Sequence, residues 1–193
     1  MQWAVDAQVD VVQIRERDMT SSALTALVAE SVAMARGTAT RVIVNDRLDV
    51  ALACGAAGVH LRGDSAPADA VRRSVPSGFL VGQSVHSVEE AVAVESHVDY
   101  VIAGTVWPSA SKEGLAAFLD AKGLAEIVRA VRVPVLAIGG VDLSRLAAVA
   151  ASGAAGVAAI GLFLDPDTAA ARCRATPLRN IVGGARAQFD AWG

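Results

Sequence analysis

The sequence predicts an α/β fold: a (β/α)8 TIM barrel, one domain over residues 1–193, lacking its first strand. Three observations carry this. Short β-branched runs alternate with longer alanine-rich helical segments, the rhythm of successive βα units. The runs are apolar throughout, as strands covered on both faces of a parallel sheet are. Glycine-rich strand ends come late, at Gly139-Gly140 and Gly161, where barrels often hold phosphate after strands seven and eight. An open doubly wound sheet would carry such a loop after its first strand, and none appears there.

In chain order, Gln2–Ala7 reads as the tail of a helix, and seven runs read as strands: Val9–Ile14, Arg41–Val44, Gly58–Leu61, Leu80–Ser84, Tyr100–Ala103, Val135–Ile138 and Val157–Ile160. Between them lie helical patterns at Ser21–Arg36, Arg47–Cys54, Ala66–Val75, Val88–Ser96, Leu124–Val131 and Leu143–Ala151. Thr20-Ser21-Ser22, Ser87 and Asp142 are expected N-caps, with Gly37, Gly55 and Gly153 as C-terminal stops. A barrel needs eight strands, so the chain reads as starting one strand late. A misplaced start codon, a truncation and an incomplete barrel are all open at this point.

With 53% hydrophobic and 19% charged residues and a mean hydropathy of +0.44, disorder is excluded. A net charge of −3 without a basic run leaves nothing for a nucleic-acid backbone. Cys54 and Cys173 lack metal-ligand spacing and read as buried thiols of a cytoplasmic protein. The N-terminus has no basic segment before Asp6, so no signal peptide is expected. Leu146–Leu164 is uncharged and long enough to span a bilayer, yet Ser152, Gly153, Gly156 and Gly161 break it into turn and strand. No membrane association is expected.

Polar residues gather at strand ends, where barrel enzymes keep their chemistry. Alternation puts Gln13, Arg15 and Arg17 on one face, so two guanidinium forks can converge on one anion or on neighbouring carboxylates. Asp46, in Asn45-Asp46-Arg47, reads as a Mg²⁺ carboxylate or as a helix N-cap. His60 reads first as a structural histidine; Ser84 and His86 end the next strand. The loop from Gly104 to Gly114 is rich in hydroxyls and glycine, and carries Lys112, one of two lysines against 15 arginines. Keeping a lysine there points to a compact, mobile ammonium. Glycine amides at Gly139-Gly140 and Gly161 suit a phosphate. The residues alone therefore describe a barrel enzyme handling a phosphorylated small molecule.

Several strings, in order along nearly the whole chain, resemble the thiamine phosphate synthase and TenI superfamily: Gln13–Arg17, Val44–Ala53 leading into Gly58–Leu61, Gly82–Ser87, Gly104–Gly114 and Ala137–Gly140. Members of that superfamily begin with one more strand and often dimerise, so a homodimer is compatible with the resemblance. In the synthase, an aminopyrimidine-methyl pyrophosphate loses pyrophosphate and the cation is captured by the nitrogen of a thiazole phosphate. The resemblance implies a pyrophosphate cradle of Gln13, Arg15, Arg17, Asn45, Ser84 and Lys112, of which Arg15, Ser84 and Lys112 are assigned as catalytic. It implies a thiazole-phosphate site at Ser109, Ala110, Ser111, Gly139, Gly140, Ile160 and Gly161, with His86 and Thr105 as further substrate contacts. For a synthase it implies Mg²⁺ on Asp46.

The chain departs from the synthase pattern after the histidine, with Arg62-Gly63-Asp64-Ser65. The second metal carboxylate falls on Ser65 unless Asp64 substitutes from one position away. Arg17 replaces a usual lysine, and Ala110 interrupts the phosphate loop. Ile14–Arg17 and Ser84–Ala91 look closer to TenI, which implies a thiazole tautomerase without a metal cofactor, although the histidine of one type of TenI corresponds here to Thr105. The sequence leans slightly to the tautomerase, with the synthase as alternative and a non-catalytic thiazole-phosphate binder as third reading.

Overall fold

The structure is a computed structural model that describes residues 1–108, 118–164 and 175–190. Its strands are β1 (Val11–Ile14), β2 (Arg41–Asn45), β3 (Gly58–Leu61), β4 (Leu80–Val85), β5 (Tyr100–Ala103), β6 (Val135–Ile138) and β7 (Gly156–Ala158). The helices are α1 (Gln2–Asp6), α2 (Ser21–Ala35), α3 (Leu48–Ala53), α4 (Ala68–Ser74), α5 (Val88–Val94), α6 (Asp120–Ala130), α7 (Leu146–Ala151), α8 (Gly161–Leu164) and α9 (Ala175–Asp190). The expected caps form: Thr20 Oγ1 accepts from Ala23 N at 3.3 Å, Ser87 Oγ from Glu90 N at 3.2 Å and Asp142 Oδ1 from Ser144 N at 2.9 Å. Gly37, Gly55 and Gly153 end their helices with φ of 77°, 65° and 81°, where a side chain would be strained.

The seven strands are hydrogen-bonded in chain order and all pairs are parallel. That is the winding of a barrel sheet; a doubly wound sheet reverses its order. Among the described residues β1 and β7 are the two edges, so the barrel is not closed. The helical layer does meet around this gap. Helix α9 packs against α7 on one side and α1 on the other. Arg179 reaches the Asp6 carbonyl at 2.6 Å, and Arg186 the Asp10 carboxylate at 2.7 Å.

Register sorts the strand residues. Gln13 lies beside Ile43, Asn45 beside His60, His60 beside Gly82 and Gly82 beside Tyr100. These share one face with Ser84, because side chains alternate along a strand. The opposite face carries Ile14, Val44, Val59, Leu61, Val81, Val85, Val101, Ala103, Val135 and Ala137, packed under Leu24, Val28, Leu124, Ile127 and Val149 of the helices. Burying each large aliphatic side chain there contributes about 1.5–3 kcal/mol. At the far ends of β4 and β5, Asp99 accepts from Val81 N at 2.7 Å and from Arg72 at 2.5 Å, fixing the register of that pair.

Some boundaries differ from the sequence reading. Strand β1 starts at Val11 and β7 ends at Ala158. Helix α6 starts at Asp120, whose carboxylate accepts from Lys122 N and Gly123 N at 2.7 and 3.0 Å, so Gly123 lies inside the helix. Helices α8 and α9 had no expected counterpart. Pro177 and Gly183-Gly184 punctuate α9 like a turn, but proline is tolerated in a first helical turn and burial of Leu178, Val182 and Ala185 holds the helix in place. Cys54 is half-buried rather than buried, its thiol donating to the Thr25 carbonyl at 3.4 Å, and Cys173 lies outside the described residues. No helix among the described residues is long and apolar enough to cross a membrane.

Leu178→Ala is expected to lower the unfolding free energy by about 2–4 kcal/mol through the cavity it leaves. Leu52→Ala, at a side chain 41% exposed, is expected to change it by less than about 0.5 kcal/mol. Urea titration of both variants checks this; equal effects would show that α9 does not belong to the core.

Candidate active site

The parallel register brings the C-terminal ends of the strands to one rim. Gln13 Nε2 donates to Asn45 Oδ1 at 2.8 Å, joining β1 to β2 on the face away from the helices. Arg15 and Arg17 follow β1 as exposed side chains. The Arg15 guanidinium is held below the usual arginine range, first by partial burial and then by the charges of Arg17 and Arg62. Arg17 and Arg62 thus lie within electrostatic reach of Arg15. Arg62 was noticed in the sequence only as a departure from a motif.

Asp46 is not the helix N-cap of the alternative reading. Helix α3 starts after Arg47 without a side-chain cap, and Asp46 takes a left-handed φ of 64°. Its amide donates to the His60 carbonyl at 2.9 Å. Asparagine and aspartate reach this region more readily than other residues, yet it still costs of order 1 kcal/mol. The carboxylate is thereby kept at the rim, where Ser65 Oγ donates to Oδ1 and the Arg62 Nη1 stands 4.0 Å from Oδ2. Asp64 is forked by Arg62 through both oxygens, which holds its carboxyl below the usual range.

These contacts bear on whether the residues fit Mg²⁺. The ion is often held by one or two carboxylates together with substrate phosphates. Asp46, exposed and oxygen-rich, fits as the one carboxylate. Asp64, as oriented, has both oxygens on Arg62 and does not join it. No group of three or more His, Cys, Asp or Glu residues among the described residues is arranged to hold a metal ion.

His60 is buried and hydrogen-bonded, as a structural histidine is. It is 2% exposed, its Nε2 lies 2.9 Å from Ser84 Oγ and its Nδ1 3.2 Å from Tyr100 Oη. The two rings stack with centroids 5.7 Å apart. Burial, then the Arg15 charge, pushes the imidazole down to about 4, so the ring is neutral near pH 7. Burial and the Asp99 charge push the Tyr100 phenol up. A lone histidine at a strand end reads as hydrogen-bonded, but the sequence gave no sign of which partners it meets. The available signal was register: Asn45, His60 and Gly82 lie in line, and a glycine inside a strand marks close approach of another group.

On the other side of the rim, His86 donates from its backbone amide to Glu90 at 2.7 Å and its Nδ1 meets the Gly104 carbonyl. Thr105 is buried, and its carbonyl accepts from Leu119 N at 3.0 Å. Gly139 and Gly140 adopt φ of 98° and 63°; a Cβ on either would collide with Thr105 or with Trp107-Pro108. Arg145 lies over the Trp107 ring, 5.2 Å from its centroid, and donates to the Gly140 carbonyl. Gly161 opens the single turn of α8, next to Ile160, which is 64% exposed. Ser109, Ala110, Ser111 and Lys112 lie outside the described residues.

The His60 shift sets a sign for pH dependence. The folded-state value, about 4, is below the ordinary 6.5, so the unfolded chain binds more protons between them and stability falls with falling pH. We expect a loss of about 2 kcal/mol between pH 6.5 and 5, above the carboxylate range, which His60→Gln removes. Urea titrations at the two pH values test it; the same loss in both proteins would assign it to another group.

Comparison with known proteins agrees with the fold. The family model described as thiamine monophosphate synthase (TMP-TENI) matches residues 1–163. A thiamine-phosphate synthase of Methanoregula boonei is 42% identical over 182 residues, covering 93% of this chain and 83% of that protein. One of a Roseiflexus species is 39% identical over 163 residues, covering 82% of this chain and 69% of that protein. The solved thiamine phosphate pyrophosphorylase of Pyrococcus furiosus superposes with a TM-score of 0.81 at 28% identity, covering 95% of this chain and 88% of its own. Sequence strings, in-order parallel winding and relatives agree: this chain belongs to the thiamine monophosphate synthase (TMP-TENI) family.

Proposed function

We propose that this protein is a thiamine-phosphate synthase, a transferase joining an aminopyrimidine-methyl pyrophosphate to a thiazole phosphate. The observation that carries the reading is that Arg15 and Arg17, after β1, and Arg62, after β3, lie within electrostatic reach of one another, with Arg62 4.0 Å from the Asp46 carboxylate. Mutually repelling cations at one strand end suit a polyanion such as a diphosphate. The names of the relatives support this alternative over the tautomerase to which the sequence leans.

In the reaction the carbon–oxygen bond to pyrophosphate breaks, the electron pair leaving with the diphosphate. A carbon–nitrogen bond then forms from the thiazole nitrogen. The arginines compensate the charge that develops on the departing oxygens, and they act most strongly where water is excluded. The Gln13–Asn45 pair presents amide groups beside them. The turn at Gly139-Gly140, held by Arg145, offers backbone amides to the thiazole phosphate. Asp46 would hold Mg²⁺, which when bound adds positive charge on the leaving diphosphate.

The test supplies both substrates with Mg²⁺ and oxidises any thiamine phosphate to fluorescent thiochrome. We expect signal above a blank without protein, abolished by EDTA. Asp46→Ala and Arg15→Ala are each expected to lower kcat/KM about a hundredfold. Folded protein giving no thiochrome signal would sink the synthase reading. Turnover of the thiazole carboxylate without metal would then establish the tautomerase, and tight thiazole-phosphate binding without product the silent binder.

A further inference from the structure

We propose that Tyr100, His60 and Ser84 form a one-way hydrogen-bond chain, Tyr100 Oη–H to His60 Nδ1 and His60 Nε2–H to Ser84 Oγ, which leaves the Ser84 proton free for an anionic oxygen at the rim. Tyr100 and His60 are positioning residues in this arrangement, and Ser84 is a donor rather than a nucleophile.

The chain is built by register. His60 on β3, Gly82 on β4 and Tyr100 on β5 lie in line across three strands. Next-but-one strands are about 9.5 Å apart, too far for two side chains to meet over an intervening one. Gly82 has none: a Cβ there would overlap the Tyr100 ring and hydroxyl. The phenol therefore lies across bare backbone and meets the imidazole at 3.2 Å. Ser84 is two residues further along β4 on the same face, 2.9 Å from the other ring nitrogen and nearer the rim.

Direction follows from counting protons. A neutral imidazole has one N–H and one lone pair. If Ser84 gave its proton to Nε2, as a nucleophile gives it to a base, Nδ1–H would point at Tyr100. The phenol would then need a second acceptor. Among the described residues its hydroxyl has no hydrogen-bond partner but His60. Tyr100 is half-buried over Gly82, and a donor left unpaired away from water costs about 1–3 kcal/mol. In the opposite direction every N–H and O–H of the trio finds an acceptor except the Ser84 hydroxyl, which stands beside the opening. That direction puts the one unpaired proton at the rim end of β4 rather than over Gly82.

That the Ser84 proton goes to a diphosphate oxygen rests on the synthase reading; the tautomer of His60 does not. The first measurement is a nitrogen–proton correlation spectrum of protein carrying ¹⁵N-labelled histidine. Its three histidines are separated by the signal lost in His60→Gln. We expect a protonated, pyrrole-type Nε2 and a pyridine-type Nδ1 at His60. A pyridine-type Nε2 would mean that the ring takes its proton from Ser84, and would overturn the proposal.

The second measurement is calorimetric binding of inorganic pyrophosphate. In His60→Gln the amide still donates toward Ser84 but cannot act as a base, so affinity is expected within about threefold of wild type. In His60→Leu the donor is gone and affinity is expected to fall about tenfold or more, the worth of a hydrogen bond near a charged group. Equal weakening in both variants would overturn the proposal. An absence of thiamine phosphate from the wild type would instead refute the synthase reading, and the tautomer would still be decided by the spectrum.

Discussion

Seven parallel strands in register impose the two-residue period on which everything else in the molecule depends. Residues of odd and even phase face opposite ways, and parallel pairing keeps the phase from strand to strand. One phase supplies the valines and isoleucines beneath the helices. The other supplies Gln13, Asn45, His60, Gly82, Ser84 and Tyr100. A slip of one residue in β2 or β3 would drive Asn45 or His60 under a helix and an aliphatic side chain into the site. Stability and site geometry are therefore fixed by the same constraint. The Arg72–Asp99 pair bonded to Val81 belongs to both for that reason: it sets the phase of β4 against β5 and so seats Tyr100 over Gly82.

All seven strands were legible because each is short, apolar and β-branched, and because buried parallel strands read that way whatever their neighbours. Helix α9 was not. Pro177 and the glycine pair weigh against it locally, while the apolar contacts that stabilise it come from α1 and α7, at distant points in the chain. The arginines of β1 were legible as a pair from alternation alone. Their third partner, Arg62, was not, since only register brings the end of β3 beside that of β1. His60 shows the same limit. Its type and place suggested structure, and its partners on β4 and β5 are 24 and 40 residues away in sequence.

Several strained or closely packed positions serve the site face and its rim. Asp46 holds a left-handed backbone, and Gly82, Gly139 and Gly140 sit where a methyl group would collide with a neighbour. Each departure serves an identifiable contact: the Asp46 carboxylate with Ser65 and Arg62, the Tyr100 phenol with His60, the β5 loop against the β6 turn. The Arg145 guanidinium over Trp107 ties that last pair together, a contact worth roughly 0.5–1 kcal/mol at an exposed site.

Ion pairs at the rim offset part of the repulsion that Arg62 exerts on its neighbouring arginines. Arg62 is forked by Asp64 and lies near Asp46, so its charge is partly neutralised by carboxylates of its own loop. These side chains are open to solvent, and exposed pairs of this kind contribute about 0–1 kcal/mol. Such a pair is weak enough to be exchanged. A diphosphate carries several charges and accepts guanidinium forks at more than one oxygen, so it competes for Arg62 from a stronger position than the single Asp64 carboxylate. On the synthase reading, Arg62 turning to the diphosphate would free the Asp64 carboxylate at the same corner. On that reading the carboxylates that offset the charge of Arg62 would also be the groups nearest to a cation accompanying the diphosphate.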